Sequence, residues 1–272
     1  MLPTWGGYIR LMRIPNGLIA FFSVLVTSVF ASRSLALSPP VFLGAVATVF
    51  IMGGGNALND YFDVAIDRLN KPHRPLPSGL IEPKKALVFS VALFSVGIFL
   101  SAFLNAGALS IVVINTCLLI VYARYSKTLL FSANVLIAGM TASVFIFSGA
   151  ILRNIDLPVI VLALSAFFVM MSREILKDIE DIGGDRQAGA RTVPLQYGIA
   201  RARALSTALL CPAVWLIYLP SLRKVMGRPY LGLAVLATLC LGLSCFLPPH
   251  KSQRVIKLAA VIVLLAFLAG SF

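Results

Sequence analysis

An all-α, polytopic membrane protein with nine transmembrane helices is the fold class this sequence predicts, and three observations predict it. Of 272 residues, 59% are hydrophobic and only 12% are charged, and the mean hydropathy is +0.95. A soluble domain would be roughly 45–50% apolar and about one quarter charged, and one soluble core could not bury the excess. Apolar runs close to the ~20 residues needed to cross a bilayer core recur along the whole chain. Finally, the basic residues divide unevenly between the two sets of loops that those runs define. A soluble enzyme, a nucleic-acid-binding module and a disordered chain are excluded, and one integral-membrane domain is expected over residues 1–272.

Taken in order, the expected spans are 15–32, 39–61, 85–104, 107–124, 132–151, 155–173, 204–222, 229–247 and 254–271. The first follows Arg10 and Arg13 and so has the outline of a signal peptide, but eight further spans follow it. The second contains Gly53, Gly54 and Gly55, which allow close helix approach. The third and fourth are split only by Asn105-Ala106-Gly107, a tight turn. Two connections are long. One, about 68–84, carries Pro72, Pro75, Pro77 and Pro83, and the other covers about 186–203. Long connections in compact proteins tend to be lids or binding loops. Cys117, Cys211, Cys240 and Cys245 lie in apolar stretches without metal or redox spacing and read as packed thiols.

The net charge of +13 points to lipid rather than nucleic acid. The N-terminus and the loops after spans 2, 4, 6 and 8 hold 18 Lys and Arg residues. The other side holds 5: Arg33, Arg153, Arg223, Lys224 and Arg228. This asymmetry predicts a cell-membrane protein with its N-terminus in the cytoplasm and its C-terminus outside.

The ten acidic residues are the most informative. All but Asp156 fall in two windows, 60–82 and 174–185, both on the cytoplasmic side. Each window contains D-x-x-D-x-x-x-D: Asp60, Asp63 and Asp67, then Asp178, Asp181 and Asp185. On a helix these spacings stack three carboxylates on one face. Asn59, Asp63 and Asp67 form a second row. Like charges at the end of a membrane span are costly, and a hard cation such as Mg²⁺ between the faces would offset the cost. Mg²⁺ binds phosphate oxygens, so a diphosphate is the natural substrate, with Arg68, Lys71, Arg74 and Lys177 near enough to neutralise it or to form structural ion pairs. Lys84, Lys85, Arg201 and Arg203 read as lipid-headgroup anchors. Ion-coupled transporters also carry intramembrane carboxylates, but these acids sit at helix ends rather than at the midplane, which favours catalysis.

The segment Asn59-Asp60-Tyr61-Phe62-Asp63-Val64-Ala65-Ile66-Asp67, followed by Asn70-Lys71-Pro72-His73-Arg74-Pro75, resembles the first aspartate-rich motif of the UbiA superfamily of intramembrane prenyltransferases. Asp181 and Asp185 resemble the second motif, Tyr122, Lys127 and Asn134 the stretch between spans 4 and 5, and Arg13 and Asn16 the start of the first helix. The string from Arg173 to Pro194 is similar to the archaeal digeranylgeranylglyceryl phosphate synthase branch, with parts shared by homogentisate prenyltransferases and chlorophyll synthases. Gly184 departs from the pattern, where a glutamate is common.

The resemblance implies nine helices around a central cavity that opens laterally to lipid. It implies Mg²⁺-dependent transfer of a geranylgeranyl group from geranylgeranyl diphosphate to the hydroxyl of geranylgeranylglyceryl phosphate, with no protein partner indicated; an aromatic or chlorin acceptor is the alternative. Asn59, Asp63, Asp181 and Asp185 would hold the metal, completed by Asp60, Asp67, Glu174 and Asp178 directly or through a second layer. Arg68, Lys71, Arg74, Lys127 and Lys177 are candidates for the diphosphate and an acceptor phosphate, and Asn16 and Tyr122 for substrate contact. An apolar, water-poor cavity would shield an allylic cation. No strong general base stands out; His73, among prolines, reads as structural.

Overall fold

A computed structural model describes residues 4–34, 38–126 and 128–271. Among the described residues there are thirteen helices and no strand. They are α1 (Thr4–Met12), α2 (Ile14–Ser32), α3 (Pro39–Phe62), α4 (Val64–Asn70), α5 (Pro83–Ser101), α6 (Ala106–Tyr125), α7 (Phe131–Ile151), α8 (Leu157–Glu180), α9 (Ile182–Gln187), α10 (Val193–Tyr197), α11 (Ile199–Leu222), α12 (Arg228–Ser244) and α13 (Pro249–Ala269). Eight of them are long and apolar enough to cross a bilayer; the remaining expected span, α12, is a shorter apolar helix of 17 residues.

Local chemistry sets many of the boundaries. Prolines open α3, α5, α8, α12 and α13, where a first-turn residue needs no N–H partner. The Asn105 side chain caps α6 by accepting from the Ala108 N–H at 3.0 Å. Asp156, the one acid outside the two windows, caps α8 through the Val159 N–H at 3.2 Å. Four of the five cations on the sparsely charged side also have a local reason. Arg33, Arg153, Arg223 and Lys224 sit at the C-terminal ends of α2, α7 and α11, where positive charge complements the helix dipole.

Of the two expected long loops, the first stays non-helical over residues 71–82, between the end of α4 and the start of α5, while the second is largely helical, with the end of α9, α10 and the start of α11. Similarly, α8 runs beyond the expected end at residue 173 to Glu180, because its charged residues find partners inside the protein and need not leave the helix for water.

The helices carrying the acidic motifs occupy the middle of the bundle. α3 packs against α2, α5, α6 and α7, while α8 packs against α7, α11, α13 and α2. One apolar core, with Leu162, Ile175, Ile217, Tyr230 and Phe267, joins α8 to α11, α12 and α13. Another, with Val24, Val41, Ile51, Phe94 and Phe147, joins α2, α3, α5 and α7. The outward faces expose Val88, Phe99, Ile114, Trp215 and Leu239, as lipid-facing positions should. Between helices, hydroxyls donate to carbonyls: Ser90 to Gly54 at 2.8 Å and Ser148 to Val24 at 2.8 Å.

Glycine sets the approach of α5 to α3. A Cβ at Gly97 would lie 2.6 Å from the Ile51 side chain and 3.2 Å from the Ala47 carbonyl oxygen. Gly97→Leu is expected to destabilise the bundle by roughly 1–3 kcal/mol through overpacking, read as a lower thermal midpoint in detergent. An unchanged midpoint would show that the contact yields freely.

Candidate active site

Both acidic motifs fold the same way. α3 and α8 each break at the middle aspartate of the triad, Asp63 and Asp181, with φ −87° and ψ 4° and 5° respectively. Hydrogen bonding continues across each break. The Asp63 N–H donates to the Asn59 carbonyl at 2.9 Å and the Asp67 N–H to the Asp63 carbonyl at 2.8 Å. The Asp181 N–H donates to the Lys177 carbonyl at 2.9 Å and the Asp185 N–H to the Asp181 carbonyl at 3.1 Å. Thus α4 and α9 prolong their helices after a one-residue interruption, and the two short helices pack on each other. Gly184 lies at their crossing, where a Cβ would come within 2.3 Å of the Asn70 side chain. A side chain at Gly184 would have to displace the Asn70 side chain, so glycine allows the present seating of α9 on α4.

The first triad does not present three equivalent carboxylates. Asp60 and Asp67 are 3% and 4% exposed and are bound by arginines. Arg13 Nη2 donates to Asp60 Oδ1 at 2.5 Å. Arg74 Nη1 donates to Asp60 Oδ1 at 3.1 Å and Asp67 Oδ2 at 2.6 Å, bridging the two. Burial works to lower the Arg74 pKa, but the charges of Asp60 and Asp67 outweigh it and hold the guanidinium above its ordinary value. The stacked single face expected from spacing is therefore divided: Asp63 sits at the break, while Asp60 is held by Arg13 and Arg74 and Asp67 by Arg74.

Between the motifs lies an open cleft of ≈ 700 Å³, counting its mouth. Asn59, Asp63, Asp67, Asn70, Lys71 and Arg74 line one side; Glu174, Lys177, Asp178, Asp181 and Thr192 line the other; Arg13, Tyr122, Ser126, Leu130 and Asn134 also line it. Its carboxylates have fixed partners. Asn59 Nδ2 donates to Asp63 Oδ2 at 2.7 Å, Asn134 Nδ2 to Asp178 Oδ2 at 2.9 Å, and Lys71 Nζ to Asp181 Oδ2 at 2.9 Å. The Lys71–Asp181 pair joins the segment after α4 to the end of α8. Glu174, 4% exposed, accepts from Arg173 at 2.9 Å and from Lys177.

Of the residues expected from sequence, four fall elsewhere: Asp60, held by Arg13 and Arg74, does not line the cleft, and three more lie away from it. Asp185 is fully buried and does not line the cleft. Arg68 is exposed on α4 outside the lining, and Asn16 accepts from Lys257 Nζ at 2.8 Å on the α2–α13 side. Lys127 lies outside the described residues. Arg13 and Asn134, which only the family resemblance marks, are cleft residues, and Asn70, Ser126 and Thr192 join them. Their sequence neighbourhoods carry no charge pattern that singles them out, except that Asn70 sits inside the first motif.

Asn59, Asp63, Asp178 and Asp181 offer hard oxygen donors, without thiolate or imidazole, so the chemistry of the set fits a hard divalent cation such as Mg²⁺. Among the described residues, no three His, Cys, Asp or Glu side chains form a ready-made metal group. The carboxylates are instead kept apart, each on its own N–H donor.

The model of the UbiA prenyltransferase family matches residues 20–270. The chain belongs to the UbiA prenyltransferase family. It is an integral-membrane prenyltransferase, and the break of α3 and α8 at matching aspartates is how this UbiA chain builds one polar cleft at the end of an apolar bundle. It is similar to a digeranylgeranylglyceryl phosphate synthase from Methanopyrus kandleri, 36% identical over 97% of this chain and 98% of that one. A solved structure described as digeranylgeranylglyceryl phosphate synthase in membranes superposes with a TM-score of 0.79 at 34% identity, covering 98% of each chain. A UbiA homolog from Archaeoglobus fulgidus, bound to GPP and Mg²⁺, shares the fold with a TM-score of 0.67 at 18% identity, covering 97% of this chain and 98% of that one.

Proposed function

We propose that this UbiA-family chain, as one domain over residues 1–272, transfers a geranylgeranyl group from geranylgeranyl diphosphate to the hydroxyl of geranylgeranylglyceryl phosphate, building an archaeal ether lipid and releasing diphosphate. The observation that carries the reading is the cleft: carboxylates and cations gathered at one end of an otherwise apolar bundle. End-to-end similarity to relatives named for this synthesis supports the acceptor.

Asn59, Asp63, Asp178 and Asp181 would hold Mg²⁺, the ion that accompanies GPP in the A. fulgidus homolog. A bound Mg²⁺ supplies charge neutralisation that favours departure of diphosphate. Lys71, Arg74, Lys177 and Lys127 add positive charge for the diphosphate and the acceptor phosphate. Arg13 and Arg74 hold Asp60 behind the cleft, and Arg74 also holds Asp67 at its wall, so that these side chains are in place before substrate arrives. The allylic C1–O bond breaks with its electron pair leaving on diphosphate, the acceptor oxygen bonds C1, and the hydroxyl proton passes to the departing diphosphate as that bond forms. The cleft and N-terminus are assigned to the cytoplasm and the C-terminus to the outside on the 18-to-5 distribution of basic residues.

The test is an acceptor panel on purified protein in lipid discs with geranylgeranyl diphosphate and Mg²⁺. Ether product and free diphosphate are expected with geranylgeranylglyceryl phosphate. Chelation of divalent metal should stop product formation, and added Mg²⁺ should restore it. Prenylation of homogentisate or a chlorophyllide instead would overturn the acceptor while keeping the transfer chemistry. No diphosphate release with any acceptor would overturn both.

A further inference from the structure

Thr192 is a cleft residue whose hydroxyl is unused. The residue lines the cleft, is 6% exposed, and its Oγ1 is buried with no hydrogen-bond partner among the described residues. It stands at the N-cap of α10 with φ −120° and ψ 157°, where a threonine oxygen ordinarily accepts from a helix N–H, yet it makes no such bond. Its backbone is nonetheless anchored: the Thr192 carbonyl accepts from the Gln196 N–H at 3.0 Å, and α10 is packed against α8, α9 and α11. The hydroxyl is thus held at the cleft by groups other than itself.

A buried hydroxyl without a partner costs free energy comparable to a lost hydrogen bond, so a partner from outside is the economical explanation. The cleft supplies donors to its own carboxylates already: Lys71 to Asp181, Asn134 to Asp178, and Arg74 to Asp67. An O–H there calls for an added acceptor, and phosphate oxygens are rich in lone pairs. We infer that Thr192 is a substrate-binding residue whose hydroxyl donates to a non-bridging oxygen of the prenyl diphosphate. This rests on the prenyl-diphosphate reading of the cleft. The bond adds a fixed, uncharged donor, so it orients the leaving group without adding to the positive charge that the neighbouring lysines and arginine supply.

The experiment compares wild type, Thr192→Val, which keeps the shape and removes the hydroxyl, and Thr192→Ser, which restores it. Calorimetry with inorganic diphosphate and Mg²⁺ should show roughly ten- to hundredfold weaker binding for Thr192→Val and near wild-type binding for Thr192→Ser. The KM for geranylgeranyl diphosphate should rise in parallel, with the KM for the glyceryl phosphate acceptor unchanged and the ligand-free thermal midpoint of Thr192→Val equal to or above wild type, since an unpaired buried hydroxyl is gone. If Thr192→Val does not fold, Thr192→Ala takes its place in the same measurements. Unchanged diphosphate binding, or a defect confined to the acceptor KM, would overturn the assignment. Wild-type protein that neither binds diphosphate nor releases it from geranylgeranyl diphosphate would instead overturn the reading of the cleft itself.

Discussion

Asp63→Asn and Asp181→Asn are each expected to lower kcat/KM for prenyl transfer by roughly 10²- to 10³-fold, the scale of removing one preorganised electrostatic group from a reaction centre. The two residues occupy equivalent places. Each sits at the break of a central helix, lines the cleft, and holds a polar partner from the chain around it: Asn59 for Asp63, Lys71 for Asp181. Asparagine keeps the volume and one hydrogen-bonding oxygen, so the substitution removes charge with little disturbance of packing. The position also tolerates it, because the break depends on backbone hydrogen bonds to Asn59 and Lys177 that an asparagine N–H makes equally well. The check is steady-state diphosphate release over a range of Mg²⁺ concentrations, where each variant should need more Mg²⁺ to reach half its own maximal rate. Wild-type turnover in both variants would mean that the cleft carboxylates do not act on the diphosphate.

Arg74→Ala is expected to be the most damaging structural change near the site. It removes the cation that bridges Asp60 and Asp67, both nearly fully buried. Asp60 keeps Arg13, but Asp67 loses the charged partner that reaches it. Leaving a buried carboxylate without its partner costs about 3–5 kcal/mol, more than the intact pair contributes, because the desolvation penalty is then uncompensated. A thermal midpoint lowered by many degrees in detergent is the expected readout. Arg74→Ala combined with Asp67→Asn should recover much of the loss, since the orphaned charge is gone, and the non-additivity measures the coupling. Arg74→Lys should recover less than the double change, as a single ammonium does not reproduce the guanidinium fork. A wild-type midpoint for Arg74→Ala would show that Asp67 is satisfied by other means.

Asp63 and Asp67 also mark where sequence and tertiary structure each contribute. The spans are legible in the sequence because a lipid solvent imposes a compositional rule on every ~20-residue segment, and the rule can be read locally. The acidic windows are legible for the complementary reason: charge inside such a chain is expensive, so carboxylates gathered in two places stand out against the apolar background. Asp156, the exception, has a purely local reason, capping α8. Spacing alone likewise relates Asn59 to Asp63, because residues four apart on a helix are neighbours.

Spacing does not separate Asp60 from Asp63. In D-x-x-D the two look alike, and their different fates depend on Arg13 and Arg74, which reach Asp60 from the start of α2 and from the loop beyond α4. The extent of α8 past residue 173, the seating of α9 on α4 at Gly184, and the presence of Thr192 at the cleft are equally hidden in the sequence. Composition and helical period therefore determined that this chain lives in a membrane and where its carboxylates are concentrated, since both are written within a turn or a span of the chain. Which carboxylates face the reaction and which are held behind it was decided only by the tertiary structure, because a buried charge is governed by the partner that reaches it in space, however far away that partner lies along the chain.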